Sequence, residues 1–152
     1  MTHPRTHFAR IALVAALAAA LAALSPSPAN ASTTRGRMYR VTNNSRENHE
    51  VARVSIHDAM SDLARRHSVA MAKRGTLFHT SDPAGYYLDG ISWRSWGENV
   101  GVTGGTVAEL QRAFMHSDLH RANILNRGFR RVAVGTYRDA DGLLWVTIFF
   151  YG

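Results

Sequence analysis

The chain contains no cysteine, although its first 31 residues have the features of a secretory signal. Arg5 and Arg10 flank the start of an apolar run, Ile11–Leu24, whose 14 residues are too few to cross a bilayer comfortably. An A-x-A cleavage pattern follows at Ala29–Ala31. Small exported domains commonly depend on disulfide bonds. Packing alone must therefore hold this domain together, and the sequence predicts a secreted or cell-envelope protein without a membrane anchor after cleavage.

The remaining residues, 32–152, suit one domain with a single core. Residues 32–42 are polar and basic and predict a flexible N-terminal segment, whereas residues 43–152 are predicted to fold, with a short first helix over Asn43–Val54. Without Arg5 and Arg10, 16 basic residues stand against 11 acidic ones, a net charge of +5. The positive charge of an exported domain indicates anionic cell-wall polymers or lipids as partners, although solvated surface charge is the simpler interpretation. The bases are scattered without interleaved aromatic residues, so nucleic acid is not expected as a partner, and we predict a monomer.

The clearest helix is predicted over Ser55–Arg74, with Ser55 as its N-terminal cap and Gly75 after its last turn. His67 falls on its apolar stripe, and we interpret it as a core histidine bonded to backbone. Thr106 begins a second helix through a capping box, and Ser117 is predicted to cap a third. These helices precede the predicted strands.

Two β-rich segments close the chain. Arg131–Tyr137 alternates, Leu143–Tyr151 is β-branched and aromatic, and the turn Asp139–Gly142 joins them. The pattern predicts an antiparallel hairpin. Since the strands follow the helices instead of alternating with them, the sequence predicts an α+β fold.

Three polar residues lie at the edges of predicted elements and form the candidate site: His79, Glu98 and His120. Gly97 permits a sharp backbone path before Glu98, and Asn99 can bond neighbouring backbone groups. His120 stands near a helix N-terminus, which favours the neutral imidazole that a general base or metal ligand needs. The spacing alone matches no local metal motif.

Four segments together resemble the CAP superfamily, also called the SCP domain, which includes the cysteine-rich secretory proteins, antigen 5 and the pathogenesis-related proteins. The matching segments are Leu77–His79, Trp96–Val100, Phe114–Leu125 and Val132–Gly135. The resemblance extends from about residue 43 to residue 152. It implies a three-layer α-β-α sandwich with a central, mainly antiparallel sheet.

The resemblance also implies a surface cleft lined by two histidines and two acidic residues. Matched motif by motif, the histidines are His79 and His120, and one acid is Glu98. The second acid falls on Ser117, and Asp118 replaces it only if its side chain turns inward. The implied metal ligands are His79, Glu98 and His120, with zinc or another divalent metal as cofactor.

Three functions remain open from the sequence. The first is a non-enzymatic extracellular binding module whose cleft holds a divalent metal. The second is an extracellular hydrolase of peptides or wall material, with Glu98 or His120 as base and Ser117 as nucleophile. No G-x-S-x-G motif supports it, and capping is the preferred role of Ser117. The third is a lipid or sterol carrier using the aromatic segment Tyr86–Trp96, whose aromatic residues we interpret first as packing residues.

Overall fold

The structure is a computed structural model that describes residues 28–152, with side chains from residue 33 onward. The described elements are α1 (Pro28–Glu47), β1 (Ser55–Ile56), α2 (Asp58–Arg74), α3 (Pro83–Tyr87), β2 (Trp96–Thr103), α4 (Val107–Met115), α5 (Asp118–Leu125), β3 (Arg131–Arg138) and β4 (Leu144–Tyr151). The predicted secretory signal falls almost entirely outside the described residues and stays a prediction. Within the described range, no helix is both long and apolar enough to span a bilayer.

The four strands form one sheet in the order β1-β3-β4-β2. β3 and β4 are the predicted antiparallel hairpin. β2 pairs antiparallel with the other side of β4, from Trp96 opposite Tyr151 to Thr103 opposite Leu144. β1 adds two parallel residues beside β3. β4 is buried along its whole length, which explains its continuous apolar sequence.

Helices cover both faces of the sheet. On one face, α2 and α3 pack over a buried cluster that contains Met60, Ala64, Tyr87, Leu88, Ala133, Phe149 and Tyr151. On the other face, α1, α4 and α5 pack over a cluster that includes Met38, Leu110, Phe114, Ile124, Val132, Val146, Ile148 and Phe150. The predicted α+β class and the three-layer sandwich with a mainly antiparallel sheet are confirmed.

The helix predicted over Ser55–Arg74 begins three residues later, at Asp58. The first two residues of the predicted range form β1 instead, and the imidazole of His57 accepts the capping hydrogen bond at 3.3 Å. The predicted C-terminal end of this helix is confirmed, since Gly75 adopts the left-handed conformation with φ 64°. The capping box that begins at Thr106 is also confirmed.

The prediction of a flexible segment over residues 32–42 is wrong, because these residues belong to α1. The helix predicted over Asn43–Val54 is the last part of α1, which ends at Glu47. Among the described side chains of α1, only Met38, Thr42, Asn43 and Arg46 are fully buried, all on one side of the helix. Because the rest of this segment is polar, so narrow a buried stripe gives the sequence no recognisable helical period.

Arg46 is fully buried and bonds to backbone carbonyls. Its Nε donates to Ala52 O at 2.7 Å, and its Nη1 donates to Ile124 O at 2.7 Å and Asn126 O at 3.0 Å. Burial, followed by repulsion from Arg130, lowers the pKa of Arg46. Two of the carbonyls lie at the C-terminal end of α5, where a cation is favoured. Arg46 thus joins the ends of α1 and α5.

Gly135 of β3 allows α2 to approach the sheet closely. A Cβ at this position would lie 2.1 Å from the carbonyl carbon of Ala64 and 2.3 Å from the amide nitrogen of Arg65. The obstacle is backbone, so we expect Gly135→Ala to lower the free energy of unfolding by about 3 kcal/mol in urea denaturation. Gly104→Ala is the control, because its nearest atom is 3.6 Å away, and we expect a change within about 0.5 kcal/mol. Equal stability of the two variants would contradict this account.

Candidate functional site

The structure brings His79 and Glu98 into contact and places His120 beside them. His79 follows α2, Glu98 lies in β2, and His120 lies in α5. His79 Nδ1 is 2.9 Å from Glu98 Oε1, and charge on His79 lowers the pKa of His120. β2 is an edge strand, so residues from the two helical layers can meet around its outer side.

The carboxylate of Glu98 is enclosed, with only 2% of its side chain exposed. Oε1 accepts from the backbone amide of Thr80 at 2.9 Å and from His79. Oε2 accepts from the Thr80 hydroxyl at 2.7 Å and from the Tyr87 hydroxyl at 3.4 Å. A carboxylate this deeply buried is tolerated only when its oxygens are hydrogen-bonded. Both oxygens of Glu98 are therefore already used within the protein.

The contact with Glu98 fixes the chemistry of the His79 ring. A carboxylate oxygen accepts only, so Nδ1 of His79 donates, and the neutral ring keeps its lone pair on Nε2. Within the described residues, this Nε2 has no hydrogen-bond partner, and the His79 side chain is 61% exposed. A carboxylate that holds Nδ1 in this way is the usual support of a histidine that binds a metal through Nε2.

A second histidine holds the segment that carries His79. His67 is 6% exposed, and its Nε2 donates to the Phe78 carbonyl at 2.8 Å. The two rings also meet edge to face, with centroids 5.0 Å apart. The interpretation of His67 as a core histidine bonded to backbone is confirmed, and its bond fixes the residue just before His79.

His120 is held by Ser117 and Phe114. Ser117 is the N-cap residue of α5, as predicted, but among the described residues its side chain makes no capping hydrogen bond, and its Oγ lies 2.8 Å from His120 Nδ1 instead. The His120 ring packs on Phe114 with centroids 4.9 Å apart. Burial, and then the charge of His79, lower the pKa of His120. This direction agrees with the expected neutral ring, with burial and His79 as the causes.

Three residues join β2 to α5 beneath the two histidines. Asn99, fully buried, donates to the His120 carbonyl at 3.0 Å, as the sequence predicted for its amide. Asn123 donates to Asn99 Oδ1 at 2.9 Å. A Cβ at Gly97 would lie 2.4 Å from Asn123 Oδ1, so a larger residue here would displace this side chain from its present position. The Gly-Glu-Asn and His-Arg-x-Asn segments therefore position one another.

The donor atoms left for a metal are the two imidazole nitrogens. Among the described residues, no three His, Asp or Glu side chains are arranged to hold one ion. Glu98 already bonds to Thr80 and His79, and Asp118, considered as a replacement acid, is exposed on α5. Glu98 is thus placed to orient the His79 ring.

Two residues of the site were missed by the sequence reasoning: Thr80 and Tyr87. In the sequence, the one indication that either residue belongs to the site is that Thr80 directly follows His79. Tyr87 was interpreted as a packing residue, which is confirmed by its stacking on Phe149 at 4.1 Å and its 3% exposure, but its hydroxyl also reaches Glu98. Burial raises the pKa of Tyr87, which stays a neutral donor.

The packing interpretation holds in part for the other aromatic residues of this segment, since Tyr86 packs edge to face on Tyr87 at 4.8 Å between centroids and Trp96 stacks on Phe149 at 6.0 Å. Tyr86, Trp93 and Trp96 are 39%, 43% and 39% exposed.

Comparisons with known proteins give a consistent result. The family model for the cysteine-rich secretory proteins, CAP, matches residues 39–150. YkwD of Bacillus subtilis is 30% identical over 128 residues, which are 81% of this chain and 49% of that protein. The chain therefore spans about half the length of the curated relative it matches.

Solved structures have the same fold. An extracellular SCP-domain protein from Bacillus anthracis is 24% identical with a TM-score of 0.68, over 83% of this chain and 44% of that one. An outer surface protein from Borrelia burgdorferi is 15% identical with a TM-score of 0.70, over 78% of this chain and 92% of that one. At these identities the likeness concerns the fold.

The pKa of His120 provides a test of the cleft geometry. In His79→Asn the repelling charge is lost but burial remains, so we expect the pKa of His120 to rise part of the way toward its ordinary value. NMR titration of the ring nuclei measures it. His49→Asn, at an exposed histidine bonded to Ser45, is the control and should leave the pKa unchanged. An unaltered pKa in His79→Asn would show that the two rings do not share the cleft.

The same pKa has a consequence for stability. A lowered pKa means that the folded state binds a proton on His120 less readily than the unfolded chain does. Stability is therefore lost as the pH falls below about 6.5, the ordinary histidine pKa. In urea denaturation, we expect a smaller loss between neutral and mildly acidic pH in His120→Asn than in the wild type.

Asn123 tests the join between β2 and α5. Asn123→Ala removes the donor to the buried Asn99 Oδ1, so we expect the free energy of unfolding to fall by about 1–3 kcal/mol. Asn48→Ala, at an exposed turn residue, should change it by less than about 0.5 kcal/mol. Thermal denaturation of both variants measures the difference, and an Asn123→Ala protein as stable as the control would refute this role.

Proposed function

The chain belongs to the cysteine-rich secretory protein family, CAP, and from this premise we propose that it is an extracellular, non-enzymatic binding module. Its cleft presents the imidazoles of His79 and His120 to a ligand, and a divalent metal such as zinc is the ligand that they select. The extracellular location is supported by the predicted signal and by similarity to proteins described as extracellular or outer-surface.

The observation that carries this proposal is the enclosed carboxylate of Glu98. It holds Nδ1 of His79 as a donor and leaves the lone pair on Nε2. Ser117 engages Nδ1 of His120 in a parallel way, and burial keeps that ring neutral. Two neutral imidazoles with engaged Nδ1 atoms are suited to bind a metal through their Nε2 atoms, as zinc-binding histidines do.

The proposal revises the role of Glu98. The resemblance implied three ligands, but the Glu98 oxygens are bonded to Thr80 and His79, so we assign Glu98 the role of orienting His79. Zinc sites with three or four protein ligands bind firmly. A site with two leaves more positions open to water or to donor atoms of a bound molecule. We therefore expect weak, exchangeable metal binding that can link the cleft to a second ligand.

One observation favours a hydrolase as the second candidate function. Ser117 Oγ lies 2.8 Å from His120 Nδ1, which is the distance of a nucleophile from its base. A hydrolytic triad also needs a third group that orients the base. Here the carboxylate of Glu98 orients His79 instead of His120. Binding therefore explains more of the geometry than hydrolysis does, and a peptidase activity lost on Ser117→Ala would reverse this preference.

Zinc titration by calorimetry tests the proposed metal site. We expect His79→Ala and His120→Ala each to abolish measurable binding, since each removes one of two ligands. Glu98→Gln retains an oxygen that can accept from His79, so we expect a loss of only about 10–100-fold. His49→Ala is the matched control and should bind like the wild type.

Each departure from this pattern has a definite meaning. Unaltered zinc affinity in both His79→Ala and His120→Ala would refute the metal proposal. Loss in Glu98→Gln as complete as in His79→Ala, with the fold retained by circular dichroism, would show that Glu98 is itself a ligand.

A further inference from the structure

A cavity of about 390 Å³ lies between α1, the first turn of α4 and the end of β3. This volume is within the range of about 300–1,000 Å³ that is usual for ligand sites. None of the residues that line it belongs to the His79–His120 cleft. We call it the arginine groove, after Arg37, Arg40 and Arg138, which line it.

The groove follows one face of α1. Thr34, Arg37, Val41 and Asn44 recur at intervals of three or four residues, so they lie along one side of the helix. Opposite them, α4 contributes Val107 and other small residues. The groove therefore has a partly apolar floor and a rim of exposed polar and cationic side chains.

The charge of the groove has one sign. Its lining, within the described residues, includes three arginines and no Asp or Glu. The first acidic residue of the whole chain is Glu47, so the segment before it cannot supply a carboxylate. Within the described residues, neither Arg37 nor Arg40 forms an ion pair. By contrast, the nearby Arg35 pairs with Asp62 at 2.7 Å.

Two further features define what the groove can bind. Arg138 donates to the Gly142 carbonyl, which holds its guanidinium at the end of the hairpin. The N-terminal end of α4 is not available to an anion, because Glu109 accepts from the Thr106 amide at 2.7 Å and hydroxyl at 2.9 Å. The attraction for an anion therefore comes from the guanidinium groups.

We propose that the arginine groove binds the phosphate groups of an extracellular phosphodiester polymer. Guanidinium groups match phosphate oxygens in pairs, and three of them along an open groove can engage successive phosphates of one chain. The repulsion among the three cations is relieved when the polymer binds. The net positive charge of the domain speeds the encounter.

A polymer fits this surface better than a membrane. Peripheral membrane binding combines cationic groups with apolar side chains that enter the lipid. The exposed large apolar side chains of the described residues are Leu77, Tyr86, Trp93, Trp96 and Leu119, and none of them lines the groove. The groove thus has the charge for phosphate and lacks the apolar anchor for lipid.

Calorimetric titration of the purified protein with a poly(glycerol phosphate) oligomer tests the proposal. The test variant is the triple substitution Arg37→Gln, Arg40→Gln and Arg138→Gln. The control removes the same charge elsewhere, through Arg66→Gln, Lys73→Gln and Arg131→Gln, all exposed and outside the groove. We expect the test variant to lose at least about tenfold in affinity, as for lost bonds to charged groups, and the control to lose much less.

Four results would overturn the proposal. Absence of binding by the wild type is the first. Equal losses of affinity in the two triple variants would show that net charge, and not the groove, causes the binding. Unchanged affinity in the test variant would show that the polymer does not bind in the groove. Groove-dependent binding to phosphatidylglycerol vesicles, without binding to the oligomer, would replace the polymer with a membrane. The zinc titration is independent of all four, because none of these six residues touches the cleft.

Discussion

The buried carboxylate of Glu98 is the constraint on which the cleft depends. Removing a carboxylate from water is costly unless its oxygens are bonded, and here donors from two parts of the chain meet that need: the His79–Thr80 segment after α2 and Tyr87 of α3. The same bonds that stabilise Glu98 fix the His79 ring and its tautomer. One set of hydrogen bonds thus stabilises the carboxylate and orients the histidine.

Close backbone contacts bring the other half of the cleft into place. Gly97 admits the Asn123 side chain, and Asn99 then holds the carbonyl of His120. Arg46 secures the far end of α5 through its carbonyls. Because α5 is held at both ends, the position of His120 is set by the sheet and by α1 together.

The two proposed sites have opposite electrostatic character. The cleft combines a buried anion with the exposed ring of His79 and with His120, whose neutral form burial favours, so it suits a metal or a polar ligand. The arginine groove has fixed positive charge with no acid in its described lining, so it suits a polyanion. A module with both could attach to a charged polymer while its cleft stays free.

The sequence by itself determined the hairpin, the end of α2 and the capping box of α4, because these depend on local patterns of period, glycine and capping residues. The motifs also identified His79, Glu98 and His120. The sequence did not determine that residues 32–42 are helical, since only one narrow stripe of α1 is buried and tertiary packing stabilises it. Nor did it determine that Glu98 supports His79 or that Ser117 bonds to His120. Those roles depend on where side chains distant in sequence meet, and only packing around the edge of the sheet decides which atoms are buried and which donors reach them.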